Sequence, residues 1–529
     1  MPSLASTFSH MSDSTTDKKA EEGVSRAVPV FDSMLPIIDE AEADEGAKLA
    51  GDVAQTFTEA EQTAVRRKID RRIVPLLAAV YFSQFLDKNS LNYSSVMGLP
   101  IKGENYNLVT MAFYLGYLVF EIPQSTFAQR FPLAKYLGVN IVLWATALIL
   151  HASSPKFAPF FVFRVLLGVF ESVVSPILIA LVASFYAKGE QSKRIGAFYC
   201  MNGVTNIVGG LMAYGVTWYK GTAVAHWRIM YFLLGGLAFI VGFSVLLWLP
   251  DSPATARFLT EREKLVALER VRANQSGTIS HRFKKAQAVE ALKDFKVWWL
   301  LFLMATISVP NGSITSFTSI LITSFGYTSQ EALLFNIPSG VVAIITTLSI
   351  SYWADKKGCR MLPFAGSVAP SIIGLALLVG YSNGGADGAH KGPLLAGIFL
   401  AQPFISGIAL LYAFSAANIA GSSKRSVVNA LMLCAFSVGN LCGTQVFQSK
   451  DAPNYLPGKI ALFVLLVVLF PSALIMNLYI KRLNKQKAEE VSRLVAEHGW
   501  SEEDLQREKD RHAFLDLTDK ENPFYVYMA

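Results

Sequence analysis

Charge is scarce in this chain. Only 16% of its 529 residues are Asp, Glu, Lys or Arg, where a soluble globular protein carries about a quarter. That scarcity excludes an ordinary soluble enzyme or binding module. Cysteine is scarce too. Cys200, Cys359, Cys434 and Cys442 are the complete set, and none has a CxxC spacing, so neither a disulfide framework nor a cysteine metal site is implied. The seven histidines (His10, His151, His226, His281, His390, His498 and His512) are scattered singly. A membrane-embedded metal or haem enzyme needs clustered ligands. No GxxxxGK[ST] loop occurs, which argues against ATP-driven work by this chain alone. No catalytic constellation, metal centre or cofactor is expected. The net charge of +7 does not point to nucleic acid, because the positive residues fall in loops and tails beside apolar stretches, the pattern of the positive-inside rule. No N-x-[ST] sequon falls in an external loop of the topology derived below, so glycosylation gives no clue to compartment.

What the chain has in abundance is apolar sequence. It is 52% hydrophobic and 12% aromatic, with a mean hydropathy of +0.37. Apolar runs recur, each long enough for the roughly 20 residues that a bilayer requires. Their positions predict an all-α membrane protein of twelve transmembrane helices, at about 72–98, 107–130, 134–153, 158–185, 193–219, 227–249, 298–324, 330–354, 361–382, 393–416, 426–448 and 459–481. Residues 1–56 are polar and read as a disordered tail without a signal peptide. The Thr58–Glu61 stretch "TEAE" is a capping-box pattern that opens a short helix ending in "RRKIDRR". Residues 250–297 are the widest gap and hold ten Lys and Arg. Within the gap, "TEREKLVALERVRANQ" reads as a second capping box and an amphipathic helix. An even number of spans puts both tails and this loop on one side, and their basic content makes that side cytoplasmic. The short loops agree more weakly, with ten Lys and Arg inside against seven outside. The expected organisation is a tail (1–70), a six-helix bundle (71–249), the central loop (250–297), a second six-helix bundle (298–481) and a second tail (482–529).

The two bundles read as pseudo-repeats. "SKR" opens span five at residues 192–194 and span eleven at 423–425. Both spans then carry an Asn with glycines, in "NGVTNIVGG" and "SVGNLCG". Gly439 and Gly443 form a GxxxG, whose first meaning is close helix packing. The loops after spans two and eight, "FAQRFPLAKYL" and "YWADKKGCRML", also correspond. A parallel repeat of this kind places a substrate site between the halves near mid-membrane.

Within these stretches, "SYWADKKGCR" (351–360) resembles the loop signature of the major facilitator superfamily. The first-half copy departs from it, with Gln129 where an Asp is usual and Phe131 and Pro132 interrupting. "FLDKNSLNYSSVMGL", "FYLGYLVFEIPQ", "QRFPLAKYLG", "FRVLLGVFES", "LPDSPATARFLTEREK", "GSSKRSVVNALML" and "DAPNYLPGK" together resemble the fungal allantoate permease family of anion:cation symporters, from about residue 70 to 482. That resemblance implies the major facilitator fold. It also implies substrates among organic anions such as ureides, nicotinate, pantothenate, biotin or short peptides. Members of the family also occur as efflux pumps.

Ionisable groups at membrane depth cost about 2.5–3.5 kcal/mol each on insertion scales and mark pathways. Here they are Asp87, Lys88, Glu121, Arg164 and Glu171, and all five are placed to meet inside the first half. Arg164 and Glu171, seven apart with Gly168 between them, share a helix face. Two readings of Arg164 stand. Its planar fork suits a substrate carboxylate, and in the family resembled the matching Arg is the usual candidate. It is equally suited to an ion pair with Glu171 or Asp87. Glu121 and Glu171, and then Asp87, are the candidates for proton coupling. Asp87 is expected to face span four. Lys88 is expected to face the cavity beside Asn92 or to snorkel. Asn92, Asn311, Asn336 and Asn418 are substrate-binding candidates, with Gln402 and Asn440 as further polar residues of the second half, and an interhelical hydrogen bond is the plainer role of each. Tyr93, Tyr114 and Phe198 are placed either to stack on a planar substrate or simply to pack. Asp355, Lys356 and Arg360, with Lys357, form a candidate gating latch. The expected function is proton-coupled import of a small organic anion by a monomer in the plasma membrane, with protons and the lipid bilayer as its other partners. The alternatives are an efflux transporter on the same fold and a transport-deficient nutrient sensor.

Overall fold

The computed structural model describes residues 57–128, 130–272, 284–382, 390–513 and 517–529. The tail at 1–56 lies outside the described residues. Local chemistry sets several helix starts. The Thr58 hydroxyl accepts the Glu61 N–H, and the Glu61 carboxylate accepts the Thr58 N–H. Thr328 and Glu331 repeat this box. A short helix followed by a separate first span was expected after Thr58. The two are instead one helix of 37 residues, α1 (Glu59–Ser95), which accommodates Pro75 without ending.

The first half continues with α2 (Glu104–Ala128), α3 (Leu133–His151), α4 (Phe157–Glu171), α5 (Val174–Phe185), α6 (Lys188–Tyr199), α7 (Met201–Val216) and α8 (His226–Trp248). The central loop holds α9 (Glu261–Arg272), the expected amphipathic helix, and a further helix, α10 (Lys285–Lys293). The second half comprises α11 (Phe295–Ser324), α12 (Ser329–Leu334), α13 (Asn336–Lys357), α14 (Met361–Gly380), α15 (Lys391–Ala401), α16 (Phe404–Asn418), α17 (Ser422–Gly443) and α18 (Leu456–His498), with α19 (Glu502–Ala513) beyond it. Each predicted apolar segment coincides with one helix or a pair.

Nine helical stretches among the described residues are long and apolar enough to cross a membrane. The stretches α1, α2 and α6–α7 fall short of that measure because they carry the polar residues of the interior. Asp87 and Glu121 on two of them are 1% and 3% exposed. The exterior is apolar, with Ile240, Leu247 and Trp248 among its exposed side chains, as a lipid-facing surface requires.

Within the first half α3 packs on α8 and α2 on α4. Within the second, α11 packs on α17 and α14 on α18. The halves meet along α7–α13, α2–α17 and α1–α11. Of the central-loop helices, α9 docks on α1 and α5, and α10 on α17 and α11. The pseudo-repeat appears in the contacts. Arg194 forks onto Asp70 of α1 at 3.0 and 2.7 Å. Lys424, from the second "SKR", reaches Asp294 at the start of α11 at 2.9 Å. The "LPDSP" stretch has a structural task, since the Asp251 carboxylate accepts the Ala134 N–H at 2.7 Å and so closes the start of α3.

Hydrogen bonds that join the halves gather at the face opposite the central loop, here the distal face. Tyr106 donates to the Ser316 carbonyl at 2.7 Å, and Asn107 to that of Phe447 at 2.9 Å. Asn92 accepts the Ser319 N–H at 2.9 Å, and Gln445 donates to the Asn107 carbonyl at 3.4 Å.

Glycines let helix backbones touch. A Cβ on Gly168 of α4 would lie 2.0 Å from the Phe113 carbonyl oxygen of α2, and one on Gly116 would lie 2.2 Å from that of Val165. On α17, the GxxxG residues Gly439 and Gly443 approach the carbonyls of Ala305 and Val309 in the same way. Backbone on backbone cannot be relieved by rotating a side chain. Gly168→Ala is therefore expected to destabilise the protein by about 1–3 kcal/mol, the usual cost of overpacking. Gly236→Ala, where an added Cβ meets nothing within 4 Å, is expected to be neutral or slightly stabilising. Thermal unfolding of the two variants in detergent checks the pair, and equal midpoints would show that α2 and α4 do not need their close approach.

Candidate functional site

The close approach of α2 and α4 presses Arg164 into the first half, where it is 2% exposed. Its guanidinium lies 5.4 Å from the centre of the Phe113 ring and donates through Nη2 to the Lys88 carbonyl at 3.4 Å. Asp87 and Glu171, each 1% exposed, lie within electrostatic reach of Arg164 and of each other. Yet neither carboxylate has a hydrogen-bond partner, nor do Nε and Nη1 of Arg164. Trp144 turns its indole toward Asp87 without closing a bond. The Gln84 amide donates to the Glu171 carbonyl at 3.4 Å and not to its carboxylate.

Lys88 belongs to the same charge cluster and points another way. Its ammonium sits 5.6 Å from the Phe85 ring centre, 5.4 Å from Tyr114 and 5.8 Å from Phe436. These three rings come from α1, α2 and, across the interface, α17. Lys88 therefore faces the seam between the halves, as its position one residue after Asp87 allows, since adjacent helical residues point about 100° apart.

Glu121 does not join the cluster, contrary to expectation. It is buried on α2 with both carboxylate oxygens unpartnered, in a neighbourhood of Tyr117 on its own helix and Tyr412 and Cys434 from the second half. The rotation of α2 directs it at α16 and α17 and away from Arg164.

A narrow cavity of about 30 Å³ lies between the halves next to Phe85. Its polar lining is carboxamides and hydroxyls with no charged side chain: Asn89, Asn92, Asn202, Asn206, Asn311, Asn336 and Gln402, with Thr315, Thr318 and Ser339. A space of that size has room for about one water, so the amide-lined region is nearly closed in this conformation. Several amides are held in place by others. Asn89 donates to Asn206 at 2.9 Å, and Asn311 to Asn440 at 2.7 Å. Asn336 donates to the carbonyls of Ala332 and Leu333, where α12 gives way to α13.

Asn92, Asn311 and Asn336 are thus brought together as expected, and Gln402 joins them. Asn418 is not in the cavity. It lies at the end of α16 on the central-loop face, where its side chain exchanges two hydrogen bonds with the Met528 backbone, at 2.9 and 2.7 Å. Phe198 is buried against Tyr81 and Tyr199, and Tyr93 is wholly buried; both pack. Asn89, Asn202 and Asn206 were missed as site residues. The two asparagines in "NGVTNIVGG" stand four apart, one helical turn, and that spacing was the available signal.

In the loop after α13, Asp355 pairs with Arg360 at 2.7 Å. The Lys356 ammonium stands 5.7 Å from the centre of the Tyr352 ring. This charged group pairs within itself here, and the Arg360 N–H donates to the Ala529 carbonyl at 2.5 Å.

Comparison with known proteins gives this arrangement a family. Residues 75–444 match the model of the Major Facilitator Superfamily. The chain is similar to the allantoate permease of Saccharomyces cerevisiae, 37% identical over 502 residues that cover 92% of this chain and 90% of that one. It is also similar to the thiamine pathway transporter THI73 of the same yeast, 33% identical over 490 residues, covering 92% and 90%. Among solved structures, a D-xylose-proton symporter matches with a TM-score of 0.57 at 15% identity, over 76% of this chain and 96% of that one. A bacterial homologue of the human lysosomal transporter Spinster, inward-facing and unoccupied, matches with a TM-score of 0.57 at 13% identity, over 80% and 97%. The fold, the apolar exterior and the match along most of its length make the chain a transporter of the Major Facilitator Superfamily, and not an enzyme.

Proposed function

We propose that this transporter carries a small organic anion into the cell together with protons. In this reading twelve spans cross the plasma membrane, both tails and the central loop are cytoplasmic, and the protein works as a monomer. The observation that carries the proposal is the cluster of Asp87, Lys88, Arg164 and Glu171, buried together with no ion pair within 4.0 Å among them and both carboxylates unpartnered. Fully ionised, the four groups sum to zero. One proton taken up by Glu171 or Asp87 leaves a net positive charge in a medium that penalises it. An anion entering beside Lys88 or Arg164 restores neutrality. Proton and anion then favour each other's binding, which is the coupling that symport needs. Lys88 stands in an aromatic frame shared by both halves, so an anion there touches both. The amides of the adjoining cavity, Asn92, Asn311 and Asn336 among them, give the rest of the substrate its hydrogen bonds. Glu121, buried at the α2–α17 seam, is a second proton-carrying candidate. Asp355, Lys356 and Arg360 act at the cytoplasmic gate, re-pairing with neighbouring helix ends when the halves rock. The names of the yeast relatives support an organic substrate of metabolic size.

Uptake by cells lacking their own permeases tests this. Labelled allantoate, nicotinate, pantothenate, biotin and a dipeptide are offered at pH 5 and pH 7.5, with and without a protonophore. One of them is expected to accumulate, more at pH 5, and to lose accumulation with the protonophore. Removing one member of a buried charge group costs about 2–5 kcal/mol, so Arg164→Ala is expected to cut uptake by roughly 30-fold or more. Glu171→Gln keeps the shape and removes the charge change. It is expected to retain exchange of labelled for unlabelled substrate while losing acid stimulation. A surface-localised protein that accumulates none of these anions at either pH would sink the proposal.

In this reading the closed gate is on the outside, which the distal hydrogen bonds support. Asn107 takes part in two of them, but only the bond to the Phe447 carbonyl uses its side chain, and one such bond is worth about 0.5–1.5 kcal/mol. Asn107→Ala is expected to shift the protein toward the outward-open state by roughly two- to tenfold. In a Thr318→Cys background, labelling of the cavity by an impermeant maleimide added to intact cells should rise accordingly. Unchanged labelling would show that these bonds do not hold the gate.

A further inference from the structure

On the central-loop face of the second half, residues 518–528 lie in a groove made by spans that are distant in sequence. Asp519 is wholly buried and receives the Lys296 ammonium at 2.6 Å and that of Lys424 at 2.8 Å. Lys296, at the start of α11, and Lys424, at the start of α17, are themselves 1% and 0% exposed. Lys424 also holds Asp294 and Glu290, each at 2.9 Å. Its ammonium therefore takes the centre that these three carboxylates would otherwise offer a metal ion. Further along, two amide side chains read the backbone of the segment. Asn418 of α16 accepts the Met528 N–H and donates to its carbonyl. Asn484 of α18 accepts the Tyr527 N–H and donates to its carbonyl, both at 2.8 Å. The Tyr525 hydroxyl donates to the Ala417 carbonyl at 2.7 Å, and that of Tyr527 to Asp519 at 3.0 Å. The Arg360 N–H ends on the Ala529 carbonyl.

Two side-chain amides that each satisfy both polar groups of one backbone residue are the signature of a recognised peptide, held by shape and polarity rather than by apolar contact alone. We infer that residues 518–528 form a strap that docks in a built groove and binds the cytoplasmic ends of α11, α16, α17 and α18, with the loop before α14, into one moving body. Among the described residues the first half has no such strap. There Asp251 caps the start of α3 from within the chain that leaves α8, and Arg194 reaches Asp70 directly. In the second half Lys424 likewise reaches Asp294 directly, and the strap adds the acceptor for the Arg360 N–H and a carboxylate between Lys296 and Lys424.

Burial raises the Asp519 carboxyl, but Lys296 and Lys424 outweigh it and hold it below the ordinary carboxylate range. Asp294, Glu290, Lys520 and the Tyr527 hydroxyl complete its surroundings. A depressed carboxylate adds stability above its unfolded value and loses it as pH falls through the folded one. Docking is therefore expected to hold constant between about pH 8 and pH 6 and to fail only in strong acid.

Hydrogen–deuterium exchange on the full chain in detergent tests the strap without any substrate, so its outcome is independent of the transport proposal. In the native protein, amides of residues 518–528 are expected to exchange at least roughly tenfold more slowly than in a free synthetic peptide of that sequence. Asp519→Asn and Tyr527→Ala, both on the strap and not on the groove, are expected to abolish that protection. Both should also speed exchange at residues 358–361 and 417–424, with α3 unchanged as the internal check of folding. If Asp519→Asn loses the α3 protection as well, Tyr527→Ala carries the test. Native exchange as fast as the free peptide overturns the inference. So does loss of strap protection with no change in the two loops, which would make the segment a passenger. Protection that disappears on dilution assigns the segment to a second copy and overturns docking within one chain.

Discussion

The interaction on which the structure depends is the one that Asp87, Arg164 and Glu171 fail to complete. Three charged groups sit deep in a bundle whose outer surface is apolar, and none forms a close ion pair. Such groups cost several kcal/mol each unless neighbours stabilise them. They persist because the surrounding packing leaves no other position. Gly116 and Gly168 let α2 and α4 touch backbone to backbone, and that contact fixes the azimuth of α4. Arg164 and Glu171, on one face of α4, are then turned together toward α1. A larger residue at either glycine would push the helices apart and let the charges relax toward pairing. The unpaired state is held by packing, and in the proposed function it is what lets the cluster respond to a proton or an anion.

The charged cluster comes wholly from the first half, whereas both halves line the amide cavity, with Asn89, Asn92, Asn202 and Asn206 from the first and Asn311, Asn336 and Gln402 from the second. Phe85 joins the two regions, lining the amide cavity on one side and lying under the Lys88 ammonium on the other. In the function proposed above, a ligand that spans both would have its charge placed by Lys88 and Arg164 and its polar atoms by asparagines, which separates charge selection from shape selection.

Much of this was legible in the sequence, and what was not has identifiable causes. Hydropathy located the helical segments, because the lipid-facing side of nearly every helix must be apolar. Asp87, Lys88, Arg164 and Glu171 stood out because ionisable residues in apolar runs are few. Glu121 stood out for the same reason, but its direction depends on how α2 is rotated against α17, which no local pattern encodes. Asn418 was misplaced because an asparagine near a helix end looks alike whether it faces a cavity or a docked peptide. Asn202 and Asn206 carry no such charge signal, because the cavity is lined by neutral amides, which stand out far less than charges in an apolar run. The strap was invisible because Asp519 is one acid in a polar tail, and its partners lie 223 and 95 residues away.

Ion pairs and neutral hydrogen bonds occupy different places, and the difference follows from what each costs to break. Away from the distal seam, cationic side chains lock onto carboxylates: Arg194 on Asp70 and Lys68 on Glu263, which are partly exposed, and Lys296 and Lys424 on the buried Asp519. Breaking one of the buried pairs strands a charge at about 3–5 kcal/mol, and the partly exposed pairs add less. Across the distal seam the bonds are of another kind, from a tyrosine hydroxyl and asparagine and glutamine amides to backbone groups. When such a seam opens, water replaces each partner at about 0.5–1.5 kcal/mol per bond. A transporter that rocks two rigid bodies needs stiffness inside each body and a low, nearly reversible cost between them. Neutral bonds at the seam and charged bonds away from it meet both requirements with the same side-chain repertoire.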